Sequence, residues 1–210
     1  MEPIVLIGGG GHARVLLGIL RKLNRYRVLG YTDRKDRGNL IGAKYLGGDE
    51  ALSSHAADRN VLAAVLAVGQ TGLGQLREEC WCRLGKLPLG FPPVVSPDAI
   101  VNEGIRMAEG AVVMDGAVIN CGAAIGRGAI LNTHCTVEHD VEVADWVHVA
   151  PGATICGGTK IGRYSMIGAG ATVIHGIRIA EGCLIGAGAT VVRHLNEAGV
   201  YAGCPARRLK

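Results

Sequence analysis

The chain has 210 residues, a net charge of +4, 33 glycines and few aromatics: one Phe, two Trp and five Tyr. With 49% hydrophobic and 19% charged residues it is no disordered chain, and its longest clean apolar run, 61–68, is far too short to cross a membrane. The seven cysteines stand far apart with no CxxC, which excludes a zinc ribbon or disulfide framework and points to a reducing compartment, the cytoplasm.

The first half reads as βαβ. Met1-Glu2-Pro3 leads straight into an apolar strand at 4–7, with no signal-peptide layout. A glycine run, Gly8-Gly9-Gly10-Gly11-His12-Ala13, follows it, and apolar periodicity over 15–23 predicts a helix. A second strand is predicted over 28–31, ending at Thr32-Asp33, and a third over 61–68, ending at Gly69-Gln70. A second helix is expected over about 73–85. Strands alternating with helices imply a small parallel, Rossmann-like sheet.

Gly8, Gly10 and Ala13 fit G-x-G-x-x-A, in which glycines let the backbone approach a diphosphate at a helix N-terminus. Asp33 falls at the end of the second strand, where a ribose- or base-reading acid belongs. The alternative is a glycine turn that only packs helix on strand. His12 either touches a phosphate or caps the helix. Some 90 residues leave no room for a full dinucleotide fold with a substrate domain, which argues against a dehydrogenase. Residues 1–94 hold 13 Lys/Arg against 8 Asp/Glu, and the remainder 9 against 10. A basic first half without a basic stripe suits a small phosphorylated ligand and not nucleic acid.

The second half repeats every six residues. From Val95 to Val191, 17 consecutive sixth positions are aliphatic without an insertion. Four residues after each comes a mostly small residue, such as Ala99, Ala111, Cys135, Thr159 or Cys183. That period fits neither a helix nor a plain strand, but it fits a parallel β-helix of triangular section with 18 residues per rung. Glycines such as Gly126, Gly128, Gly162, Gly168, Gly186 and Gly188 are expected to permit the turns. The division expected is a Rossmann-like domain over 1–90 and a left-handed β-helix over 91–210. A purely structural or ice-binding β-helix would show flat outward threonine arrays, whereas the outward positions read as mixed.

Three of the seven histidines lie between 134 and 148. His139 and Asp140 are the third and fourth residues of their hexad, so both face outward at a turn. A carboxylate beside an outward histidine orients the ring and stabilises its charged form, as a general base needs; the alternative is a solvated turn. His134 and His139, five apart in a hexapeptide repeat, also resemble two of the three zinc ligands of the gamma-class carbonic anhydrases; that resemblance implies a third ligand 36 residues before His134, where Asp98 stands, so no metal is expected.

The chain resembles the bacterial sugar O- and N-acyltransferases of the sialic-acid O-acetyltransferase type, and most closely the N-acetyltransferases of nucleotide-linked 4-amino sugars. The resemblance covers nearly all of it. It rests on Val5-Leu6-Ile7-Gly8-Gly9-Gly10-Gly11-His12-Ala13, Leu46-Gly47-Gly48-Asp49, Leu131-Asn132-Thr133, Val137-Glu138-His139-Asp140, His148-Val149-Ala150-Pro151-Gly152-Ala153 and Gly203-Cys204-Pro205-Ala206-Arg207. Residue by residue, it implies that His139 is the base that deprotonates the sugar amine and that Asp140 orients it. His148 is expected to contact the thioester carbonyl of acetyl-CoA, and Asn132 to lie near the sugar. Gly157 and Ala187 are expected to contact the pantetheine arm, and Arg207, with Arg208, to meet phosphates of coenzyme A. Gly8, Gly10, His12 and Asp33 are expected to form the nucleotide pocket. The resemblance further implies direct transfer without an acyl-enzyme, and a homotrimer with sites between subunits. Cys135 and Cys183 fall at interior positions and read as buried, not nucleophilic. The sequence departs from the family at Val68-Gly69-Gln70-Thr71 and at Gly90-Phe91-Pro92-Pro93, beside the expected sugar-nucleotide pocket. O-acetylation of a sugar, and a non-catalytic sugar-nucleotide-binding protein, are the competing readings.

Overall fold

The computed structural model describes residues 1–48, 50–52 and 63–209. Val61 and Leu62 of the third expected strand, and Asp49 of the Leu46-Gly47-Gly48-Asp49 motif, lie outside the described residues. The chain divides into two compact units, one of Met1–Gly69 with Arg77–Pro97, the other of Gln70–Leu76 with Asp98–Lys210. The segment Gln70–Leu76 thus leaves the first unit and packs with the coil.

In the first unit, β1 (Glu2–Ile7) is the central strand of a parallel sheet, between β2 (Tyr26–Thr32) and β3 (Ala63–Leu66). Ile4, Val5, Leu6 and Ile7 are all buried, as expected of a strand covered on both faces. Helix α1 (Gly11–Lys22) begins four residues before the apolar periodicity does and buries Ala13, Leu16, Leu17, Ile19 and Leu20. Helix α2 (Gln75–Leu84) carries Arg77, which is 1% exposed. Its Nε donates to the Val68 carbonyl at 3.0 Å, and burial pushes its pKa down to about 10, so it stays charged at neutral pH.

The second unit is a parallel β-solenoid of about six turns. Three sheets run its length, pairing residues 18 apart up to the last rung, as Thr136 with Thr154 and Val137 with Ile155. From Val113 to Val191 every sixth aliphatic is buried, whereas Val101, in the first strand of its sheet, is 39% exposed because no rung lies beneath it. The corners repeat as well: from Gly104 to Gly188 the fourth residue of every hexad has positive φ. Of the six glycines expected to permit turns, only Gly128 and Gly188 do so through φ. Gly126 and Gly168 are there for space: a Cβ on either would come 2.5 Å from backbone of the next rung. One outward row differs from the expected mixture. Thr136, Thr154, Thr172 and Thr190 stack in register on one face, continuing Val118.

Candidate active site

The glycine turn is built as a phosphate-binding turn must be. Gly8 has φ +110°, and a Cβ there would stand 3.1 Å from the Ala67 carbonyl oxygen. Helix α1 starts behind Gly10, with no side-chain cap and no acid in its first turn. Its first N–H groups and the positive end of its dipole therefore face outward, past Gly10 and Gly11, whose surroundings are open. His12 lies in that first turn, half-buried.

Asp33 is tied to the glycine turn. Its Oδ2 accepts the Gly9 N–H at 3.0 Å and Arg37 Nε at 3.2 Å, and its Oδ1 accepts the Lys35 N–H at 3.3 Å. Burial acts to raise its pKa, but the Gly9 N–H, Arg37 and the Lys35 N–H outweigh it and hold the carboxyl below the usual range. The carboxylate braces the glycine turn against the end of β2.

On the coil, His139 and Asp140 share the corner between the six-stranded and five-stranded sheets. Their side chains are 61% and 72% exposed, with His139 Nδ1 3.0 Å from Asp140 Oδ2. The carboxylate accepts the Nδ1–H, so the neutral ring has Nε2 free of a proton. That edge lies over the next rung, where a Cβ on Gly157 would come 2.5 Å from Nε2. Asp140 lies over the rung before, where a Cβ on Gly122 would come 2.5 Å from Oδ1. Glycines on both neighbouring rungs give the pair its room.

His148 and Asn132 form a second group, away from that corner. His148 lies on a strand of the eight-stranded sheet and is 6% exposed. Its Nδ1 donates to the Gln70 carbonyl at 2.9 Å, and its Nε2 lies 3.0 Å from Asn132 Nδ2. The first bond fixes the Nδ1–H tautomer, so Nε2 accepts from the Asn132 amide. Both ring nitrogens are thus engaged within the chain. Asn132 Oδ1 accepts the Thr133 N–H at 2.7 Å, which fixes the amide's orientation and leaves its second N–H available.

The remaining expected residues are spread over the coil. Ala187 and Arg207 are exposed, and Arg208 pairs with Glu197 at 2.5 Å. Cys135 and Cys183 are fully buried, and burial pushes the Cys135 thiol up to about 12, so it is no nucleophile. No cluster of three metal-ligating side chains occurs among the described residues.

Sequence reasoning missed three features. Gln70 supplies the carbonyl that orients His148, and nothing in its side chain signals that. A ladder of amides runs from Asn102 through Asn120 to the Glu138 carboxylate, beside His139, at 2.6 and 2.9 Å; its signal was there, three polar residues spaced by 18. Last, His134, Asp140 and Trp146 occupy three successive corners with φ of +55° to +59°, where most other corners carry glycine. A side chain there costs about 1–2 kcal/mol, and such strain gathers at functional sites.

Comparison with known proteins gives the chain's relatives. Residues 3–83 match the family described as PglD N-terminal domain, and residues 158–193 match bacterial transferase hexapeptide (six repeats). The acetyltransferase domain of PglB from Neisseria gonorrhoeae, solved with acetyl coenzyme A, is 31% identical over 99% of both chains, with a TM-score of 0.92. GDP-perosamine N-acetyltransferase from Caulobacter crescentus, solved as a histidine-to-alanine variant with CoA and GDP-perosamine, is 30% identical, with a TM-score of 0.94. That match covers 100% of this chain and 98% of the other. WeeI from Acinetobacter baumannii, 22% identical over the whole of both chains with a TM-score of 0.87, shares the fold.

Proposed function

The chain belongs to the bacterial nucleotide-sugar acyltransferases, and from that membership we propose that it transfers the acetyl group of acetyl-CoA to the 4-amino group of a nucleotide-linked amino-deoxy sugar. The observation that carries the reading is the exposed His139–Asp140 pair, with the ring's Nε2 edge facing the next rung. Beyond His139 the same corner continues through Gly157-Gly158 and Gly176, and a Cβ on Gly158 or Gly176 would meet nothing within 4 Å. The open glycines Gly158 and Gly176 suit the slender arm of the co-substrate, with its thioester toward His139.

His139 Nε2 takes the proton from the amine as the nitrogen bonds to the thioester carbonyl carbon. The C–S bond then breaks, and the sulfur leaves as thiolate or takes the proton back from the imidazolium. Asp140 keeps the ring oriented and stabilises its charged form. Asn132, held by His148 and by the Thr133 N–H, has one amide hydrogen left to offer the developing oxyanion, and His148 acts through it as a positioning residue. The glycine turn and α1 N-terminus hold the diphosphate.

In this reading the enzyme is a cytoplasmic homotrimer. The row Val118, Thr136, Thr154, Thr172, Thr190 carries no charge, whereas the five-stranded face presents Arg106, Glu142, Lys160 and Arg178. An uncharged face of this kind can meet a second copy. His139 and the Asn132–His148 pair sit on different sides of one coil, so a site that uses both joins two subunits. Co-expressed H139A and H148A chains should then recover roughly a quarter of wild-type activity by random pairing. Recovery of none, with mixed trimers verified by mass, would place each site within one chain.

The reaction itself is tested with acetyl-labelled co-substrate and a nucleotide-linked 4-amino sugar. An amide product keeps its label in mild alkali. A label lost to alkali would mean an ester, and O-acetylation instead.

A further inference from the structure

Next to the braced glycine turn, the first unit holds a cavity of about 440 Å³ lined by Arg34, Tyr45, Gly48, Glu50 and Arg83. Nothing in the acetyl-transfer chemistry uses it. Arg34 follows Asp33 directly, so the cavity opens where a doubly wound fold places the base of its nucleotide. We infer that it is a guanine pocket and that the amino sugar that accepts the acetyl group is GDP-linked; the inference rests on the nucleotide-sugar reading and decides its base.

The lining suits a nucleobase. Tyr45 is held firmly: its hydroxyl donates to the Asp33 carbonyl at 3.1 Å and its ring packs on Tyr31 with centroids 5.5 Å apart. A fixed aromatic wall is a stacking platform for a base. Asp33 is spent on Gly9, Lys35 and Arg37, so the carboxylate that lines the cavity is Glu50. Glu50 lies against Gly48, where a Cβ would come 2.5 Å from either carboxylate oxygen, so a side chain at 48 would displace it.

Base chemistry then selects among nucleotides. An ionised carboxylate only accepts, and guanine offers it two adjacent donors, N1–H and the N2 amino group. Uracil offers one N–H between two carbonyl oxygens that repel a carboxylate, and adenine turns an acceptor nitrogen toward it. Guanine's opposite edge, O6 and N7, is the acceptor pair that an arginine fork fits, and Arg34 and Arg83 both line the cavity. A Glu with an Arg matches guanine on both edges and no other common base on both.

The experiment is calorimetric titration of the intact chain, without acetyl-CoA, by GDP, IDP, ADP and UDP. GDP should bind at least about 10-fold tighter than UDP, with IDP, which lacks the amino group, between them. Glu50→Gln should weaken GDP about 10- to 100-fold and leave UDP unchanged. UDP binding as tightly as GDP, or a GDP preference that survives Glu50→Gln, would overturn the guanine pocket and leave the acetyltransferase reading standing. Binding of none of the four would overturn the nucleotide-sugar reading, and this inference with it.

Discussion

His139→Ala lowers turnover by about 10²- to 10⁴-fold, the range for loss of a general base, while the fold and the affinity for acetyl-CoA persist. The expectation is this clean because of where the residue stands. Its side chain is 61% exposed at a corner, so its removal opens no cavity in the coil. Asp140 and the face of Gly157 lose a neighbour. The loss should fall on kcat, since the ring acts on a proton that moves only as the bond forms. Asp140→Asn keeps the size of the side chain but removes its charge, and should cost less than loss of the base itself. Steady-state rates with both substrates varied, beside thermal melting curves, check this. Wild-type turnover in a folded His139→Ala protein would refute the assigned base.

Trp146→Ala destabilises the coil by about 3–5 kcal/mol, as for a large aromatic removed from a core. Trp146 is 1% exposed although it occupies a corner, with φ +59°. It is covered because Gly128 on the rung before and Gly74 on the segment Gln70–Leu76 both lie against it, neither leaving room for a Cβ. The Gly74 N–H donates to the Tyr164 carbonyl at 2.9 Å, one rung further on. Trp146 thus pins to the coil the same segment whose Gln70 carbonyl orients His148. Alanine leaves the cavity and keeps the positive φ, so nothing offsets the loss. For a chain of this size the melting temperature should fall by roughly 6–20 °C. A fall in activity at temperatures where the variant is still folded would show the loosened segment reaching His148. An unchanged melting temperature would contradict the packing described.

The solenoid was legible because one rule repeats: an aliphatic every sixth residue has no other three-dimensional meaning. The corner rule was half legible. Glycine marks most positive-φ corners, but it also stands where rungs touch, and the composition of a hexad does not separate the two uses. The His139–Asp140 pair could be read from register alone, since residues three and four of a hexad face outward. Asp33, His148 and Asn132 could not. Their roles depend on partners far off in the chain, at distances of 24 residues for Asp33 with Gly9 and 78 for His148 with Gln70. The end of β3 and the start of α2 were misjudged by a few residues, because the apolar run continues after the sheet pairing stops.

The most direct test of the account is release of free thiol from acetyl-CoA in the presence of a GDP-linked 4-amino-6-deoxy sugar. A blank without sugar is needed, since the chain's own exposed cysteines, Cys82, Cys121 and Cys204, react with the thiol reagent. The account predicts release with the amino sugar and none with the analogue that carries a hydroxyl at the same carbon. Release with the hydroxyl analogue alone, or none with either while acetyl-CoA binds, would contradict it.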